Sequence, residues 1–253
     1  MGGRRLAEAV TAADASGGFE LEYCPSAGLA RRAGLMACAG EPFEDALPVR
    51  PFHFEKGQSS FAGWWWLATT SRHVGCESLL ERDHLMMLDF DPVIASVASQ
   101  PFWLRWRDAD GRPRRHVPDF FARCRDGRGV VVDVRPDDRI PERDAQAFAA
   151  TGRACAVAGW GYRRVGALDP VLVANVRWLS RYRHRRCGGP ADMAASLAEV
   201  FGAGRPLFAG AALAGDRLAV LPVVFHLMWR GDLVADLTAR PLGTATLVRA
   251  AGR

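Results

Sequence analysis

The chain reads as an α/β protein in which a mixed sheet flanked by helices is followed by a smaller, mostly helical domain. Three observations predict this class: a helical apolar stripe over residues 77–90, strand-like runs separated by Asp-Gly turns between 102 and 134, and a break in texture at Cys187-Gly188-Gly189-Pro190.

Residues 1–47 mix Gly, Ala, Glu and isolated arginines without a sustained period, and they read as a mobile leader. From Val49 the texture changes. Pro51-Phe52-His53-Phe54 alternates, Lys56-Gly57-Gln58 makes a turn, and Phe61, Trp64, Trp65 and Trp66 place four aromatics within six residues. Consecutive tryptophans suit either stacking on bases or a core; packing beneath a sheet with one ring exposed is the preferred reading. Over 77–90, Leu80, His84, Met87 and Leu88 form one helical stripe ended by Asp91-Pro92, so Glu77 and Glu81 share a face. Phe102, Leu104 and Trp106 then alternate with Trp103, Arg105 and Arg107, Asp108-Ala109-Asp110-Gly111 turns the chain, and a second strand covers 114–123. Asp126-Gly127 turns it again into Val130-Val131-Val132-Asp133-Val134, closed by Pro136, and the result is an antiparallel meander. Residues 141–158 form a helix stopped by Gly159, 162–165 a short strand, and Asp169-Pro170 caps a helix reaching residue 182, a βαβ-like return onto the meander.

Beyond the break, 192–201, 206–214 and 218–230 read as helices and 233–238 and 244–249 as strands, which together describe a winged-helix-like module. The expected domains are therefore a leader at 1–47, a main domain at 48–187 and a small domain at 188–253.

At 253 residues the chain is long enough to bury a sizeable core. Its formal charge is +5, and its cations are nearly all arginine, Lys56 being the sole lysine. Arginine bias suits bidentate phosphate contacts, but for the composition alone a GC-rich coding sequence that fills solvated faces with arginine is the preferred explanation. Six cysteines fall at no ligand-like spacing, which excludes a zinc finger and reads as reduced structural thiols. No apolar run follows the first arginines as a secretory signal requires, and the longest apolar stretch, 218–229, is too short to span a bilayer. A soluble, cytoplasmic protein is expected.

The chemistry concentrates between 77 and 136. Asp119 follows Pro118 on one predicted strand, and fourteen residues later Asp133 stands among valines on the facing strand. A carboxylate in such surroundings needs a counter-charge. Magnesium supplies one, because it accepts one or two carboxylates plus water and substrate phosphate. Alternation puts Asp133 and Arg135 on the same side of the sheet. Singly, Pro-Asp and Asp-x-Arg are explained by ordinary ion pairs. In order, on a hairpin, with Glu81 on the preceding helix, they point to a divalent metal that lowers the pKa of a bound water and steadies charge on a phosphodiester.

The segments Glu77-Ser78-Leu79-Leu80-Glu81, Asp89-Phe90-Asp91-Pro92, Gln100-Pro101-Phe102, Arg115-His116-Val117-Pro118-Asp119-Phe120 and Val131-Val132-Asp133-Val134-Arg135-Pro136 carry a resemblance. As a set they resemble the TnsA-like heteromeric transposase endonuclease subunits of the PD-(D/E)xK nuclease superfamily, over residues 50–250. The resemblance implies a restriction-endonuclease-like core and a Mg²⁺-dependent endonuclease, with Mn²⁺ as the alternative ion. Such an enzyme nicks the 5′ ends of a transposon in double-stranded DNA, beside a DDE-type transposase and an AAA+ ATPase regulator. Carried over by position, Glu81 orients metal or water, with Glu77 as second choice. Asp119 and Asp133 bind the metal with the Val134 carbonyl, and Arg135 stands where the family has lysine. Arginine stabilises charge but cannot deprotonate water, so the alternative is a nuclease-fold scaffold that binds DNA and partner without cutting. Lys56 is a further candidate for the lysine's role.

Two arginine groups are candidate backbone contacts to duplex: Arg105, Arg107, Arg112, Arg114 and Arg115 around the first hairpin, and Arg181, Arg183, Arg185 and Arg186 after the last helix of the main domain. The segment around His226 is too apolar to read DNA, so His226 is expected to be a packed core histidine.

Overall fold

A computed structural model of the chain describes residues 17–52, 61–138 and 140–252. The described residues divide into two compact units, one covering residues up to 88 together with 93–167, the other 89–92 with 168 onward.

The first unit is built on two four-stranded sheets and a hairpin. Strands β1 (Glu20–Tyr23) and β2 (Arg31–Gly34) precede a single helical turn α1 (Leu35–Cys38) and a 3-10 turn at Phe43–Asp45. Hairpin β3 (Gly63–Leu67) and β4 (Arg72–Cys76) leads into helix α2 (Leu79–Phe90) and strand β5 (Ile94–Ser99). Strands β6 (Trp103–Arg107), β7 (Pro113–His116), β8 (Phe120–Cys124) and β9 (Gly129–Val134) follow, then helix α3 (Glu142–Ala158) and strand β10 (Gly161–Val165). The central sheet runs β10-β9-β8-β5, with β5, β8 and β9 antiparallel and β10 parallel to β9. A helix, three antiparallel strands, a crossover helix and a parallel strand thus form one mixed α/β layer. Gly159 ends α3 in the left-handed region at φ 71°, a conformation that costs glycine little.

Alternation along β8 and β9 gives the central sheet two buried faces. Phe120, Ala122, Val130, Val132 and Val134 cluster with Leu85 and Leu88 of α2 and with Val74 and Ile94. Phe121 and Val131 cluster instead with Ala150, Ala154 and Cys155 of α3. Asp133, between Val132 and Val134, therefore lies on the α3 face.

Two expectations are corrected here. Residues 17–47 are no leader: β1 pairs with both β2 and β6, and Leu21, Tyr23, Leu35 and Phe43 are almost completely buried. Their apolar residues are too few and too interrupted by glycine to betray a period, yet each sits at a core position. Residues 1–16 and the turn Lys56-Gly57-Gln58 lie outside the described residues. The strand expected over 114–123 is two strands in different sheets, β7 beside β6 and β8 between β5 and β9. Pro118 lacks the amide that a continuous ladder needs, and the chain changes sheets there. The crossover from β9 through α3 to β10 has the expected βαβ form. Of the tryptophans, Trp65 packs on the core while Trp64 is 55% exposed.

The second unit contains α4 (Pro170–Leu179), α5 (Ala191–Val200), β11 (Arg205–Pro206), α6 (Leu207–Ala214), α7 (Arg217–Trp229), β12 (Leu233–Val234) and β13 (Leu247–Ala250). Its small sheet runs β11-β13-β12. The expected boundary after Cys187 falls instead after Ala167. Helix α4 belongs to this unit because Asn175 clamps the loop after β12, through the carbonyls of Leu237 and Arg240 and the amide of Leu242. His226 is a satisfied core histidine, its Nδ1 2.7 Å from the Tyr182 carbonyl. Among the described residues no single helix is long and apolar enough to cross a membrane.

Candidate functional site

Asp133 stands on β9, and Asp119 immediately precedes β8, the strand paired with it. Asp133 is fully buried. Its Oδ1 lies 2.8 Å from Nε2 of His116, the last residue of β7, and its Oδ2 accepts from the Tyr162 hydroxyl of β10 at 2.8 Å. A carboxylate inside a sheet of valines is tolerated because both oxygens have donors. Burial, reinforced by Asp133, drives the Tyr162 phenol far above its ordinary range, so it stays a proton donor to that carboxylate. The His116 ring also meets Phe148 of α3 edge-on, with centroids 5.8 Å apart.

Asp119 sits just before β8, beyond the last ladder pair of Phe120 with Val132. The Val134 amide donates to Asp119 Oδ2 at 2.7 Å, so the backbone of β9 ties the two acids together. Asp119 Oδ1 has no hydrogen-bond partner among the described residues. Burial pushes the Asp119 carboxyl well above the usual range, the charges of Glu81 and then Asp133 push it further, and the Val134 amide and Arg50 pull back.

Glu81 arrives from the first turn of α2, held by a reciprocal cap. Ser78 Oγ accepts from the Glu81 amide at 3.1 Å and donates to Glu81 Oε1 at 2.9 Å, while Glu81 Oε2 accepts from the Glu77 amide at 2.7 Å. Burial is also the main cause that raises the Glu81 carboxyl. Glu77 turns to Arg50, with 2.5 Å between Oε2 and Nη2.

Arg135 is engaged by Asp144 in the first turn of α3, at 2.7 Å. The charges of Glu81 and Asp133 both act on Asp119, and Arg135 is tied to α3. Among the described residues no group of three or more His, Cys, Asp or Glu side chains is close enough to enclose a metal.

The hairpin arginines are mostly matched locally. Arg105 bonds Glu22 at 2.8 Å, Arg114 bonds Asp108 at 2.8 Å, Arg112 bonds Asp110 at 3.1 Å and Arg107 bonds the Gly111 carbonyl at 2.7 Å. Arg115 lies 4.3 Å above the Trp103 ring. In the second unit, half-buried Arg183 bonds the Ser180 carbonyl at 2.6 Å, Arg181 stacks over Trp178, and Arg185 and Arg186 are exposed. Three of the cysteines are poor thiolates: burial pushes Cys38 and Cys76 up to about 11 and Cys155 up to about 12.

Sequence reasoning missed Arg50, Gln100, His116 and Tyr162. His116, three residues before Asp119, was within reach of a strand-alternation argument. Tyr162 and Arg50 carry no local signal, because only sheet pairing brings them to the acids. Comparison with known proteins supplies no relative: no family model matches the chain, and no curated protein is significantly similar to it.

Proposed function

We propose that the chain is a metal-dependent DNA endonuclease subunit of a heteromeric transposase, nicking 5′ transposon ends by phosphodiester hydrolysis beside a DDE-type transposase and an AAA+ regulator. One observation carries the reading: Glu81 and Asp133, from the helix and strand where the resemblance puts them, both raise the carboxyl of Asp119. The mixed sheet, entered from α2 and returned through α3 and β10, supports a restriction-endonuclease-like core, and three helices with a small sheet support a winged-helix-like second domain.

The donor set suits Mg²⁺ or Mn²⁺. Its oxygens are hard, one Asp119 oxygen has no hydrogen-bond partner among the described residues, and surplus negative charge is present. Asp119 and Asp133 would hold the ion, with the Val134 carbonyl completing the protein's share, since among the described residues no larger group of His, Cys, Asp or Glu encloses a site. The bound ion would lower the pKa of its water and offset charge on the phosphate. His116 and Tyr162 lock the Asp133 rotamer, and the Val134 amide orients Asp119. Glu81, its carboxyl raised by burial, would accept the attacking water's proton as that oxygen bonds phosphorus, and the departing 3′ oxygen would take a proton from solvent.

A second reading, a nuclease-fold scaffold that binds DNA and partner without cutting, is favoured by the Arg135–Asp144 pair and by the two donors on Asp133. A nicking assay on supercoiled DNA bearing transposon ends, with the partner transposase and Mg²⁺, separates the two. The endonuclease reading expects wild type to nick and Asp119→Ala to lose at least about 100-fold. If wild type and Asp119→Ala are equally inert while Arg135→Lys cuts, the scaffold reading replaces it.

A further inference from the structure

We propose that Arg50 is the phosphate-contacting cation of the carboxylate centre, occupying the electrostatic role that the order of motifs gave to Arg135. The proposal rests on the reading of Glu81, Asp119 and Asp133 as a centre that handles DNA phosphate.

Backbone geometry delivers Arg50 there. The Val49 amide donates to the Gln100 carbonyl at 3.0 Å, and the Gln100 amide donates to the Asp119 carbonyl at 2.9 Å. Two successive hydrogen bonds therefore staple the segment carrying Arg50 to the backbone of Asp119. Gln100 holds this junction in the left-handed region at φ 48°, rare for a residue with a Cβ. On its other side, Arg50 Nη2 meets Glu77 Oε2, and the Glu77 amide is itself bound by Glu81 Oε2. Arg50 thus stands between the helix that carries Glu81 and the strand that follows Asp119, and its charge acts on both carboxyls.

Its donors are not used up there. Arg50 Nε is buried and has no hydrogen-bond partner among the described residues, and Oε1 of Gln100, in the same junction, is likewise unpaired among them. Buried polar atoms are nearly always satisfied, and one guanidinium nitrogen left over beside a surplus of carboxylate charge is unusual. The side chain as a whole retains 40% exposure, so a phosphate can approach the guanidinium, although not through the buried Nε. A guanidinium presents a fork matched to two phosphate oxygens. Arg135 too is ion-paired, with Asp144 of α3, whereas Arg50 pairs with a residue of the Glu81 cap.

The test uses the full chain and a fluorescein-labelled duplex with a central nick. Affinity is measured in calcium over a salt series, so that binding is read without cleavage. Nicking in Mg²⁺ with the partner transposase is followed in parallel. Arg50→Gln is expected to weaken binding about 5–10-fold and to lower the salt slope by about one, with Arg50→Lys recovering the slope. Glu77→Gln removes the same ion pair while sparing the cation, and it is expected to bind at least as tightly as wild type. Equal weakening by Arg50→Gln and Glu77→Gln marks a structural role and overturns the proposal. So does an unchanged salt slope in Arg50→Gln, or a loss confined to Arg135→Gln. Should wild type fail to nick while Arg50→Gln still lowers the slope, the phosphate contact stands and the endonuclease reading falls.

Discussion

At the scale of single residues, burial and neighbouring charges raise Asp119, one of whose oxygens has no hydrogen-bond partner among the described residues, whereas both oxygens of the buried Asp133 have partners. A carboxyl raised in the folded state binds a proton more tightly there than in the unfolded chain. Its ionisation therefore removes stability as pH rises from the unfolded carboxylate range through the folded value. Asp119→Asn keeps an acceptor for the Val134 amide and removes the repulsion. Without metal it is expected to melt above wild type at neutral pH, by about 2–4 °C per kcal/mol relieved, and to converge with wild type in acid. Thermal melts over a pH series check this; a constant difference at every pH would contradict the assigned cause. Tyr162→Phe strips a donor from buried Asp133 and is expected to cost about 1–3 kcal/mol in urea unfolding.

At the scale of elements, the start of α2 serves two purposes that substitution can separate. Ser78 and Glu81 cap the helix reciprocally, and the charge of Glu81 also acts on Asp119. Ser78→Ala is expected to lower stability by about 1 kcal/mol while leaving nicking near the wild-type rate. Glu81→Gln keeps acceptor and shape, so its stability is expected to change little while nicking falls about 100-fold or more. Chemical denaturation alongside the nicking assay distinguishes them, and parallel losses in both variants would reduce Glu81 to a cap. The helix was legible from its stripe and from Asp91-Pro92 as its stop. The cap was legible too, since Ser78 precedes Glu81 by three residues, although the pattern was read only as chemistry.

At the scale of the whole chain, the early residues matter most to the difference between expectation and fold. A chain beginning at residue 48 would lose β1, β2 and α1 and expose β6 as an edge. It would also strip Leu21, Tyr23, Leu35 and Phe43 from the cluster behind Phe121 and Val131. That deletion is expected to abolish cooperative unfolding of the first unit, read by circular dichroism melts and limited proteolysis. A truncated protein that melts like the full chain would restore the leader.

By itself the sequence determined the α/β class, the helix carrying Glu81, the turn between the strands of Asp119 and Asp133, and the βαβ return, because each is written in local period, proline, glycine and capping residues. Only the tertiary structure decided that β7 and β8 part company at Pro118, that residues 17–47 complete a sheet, that Asp144 engages Arg135, and that Arg50 stands beside the acids. Those outcomes depend on pairings between segments distant in the chain, and hydrogen bonds and charges acting across such distances leave no periodic trace in any one segment.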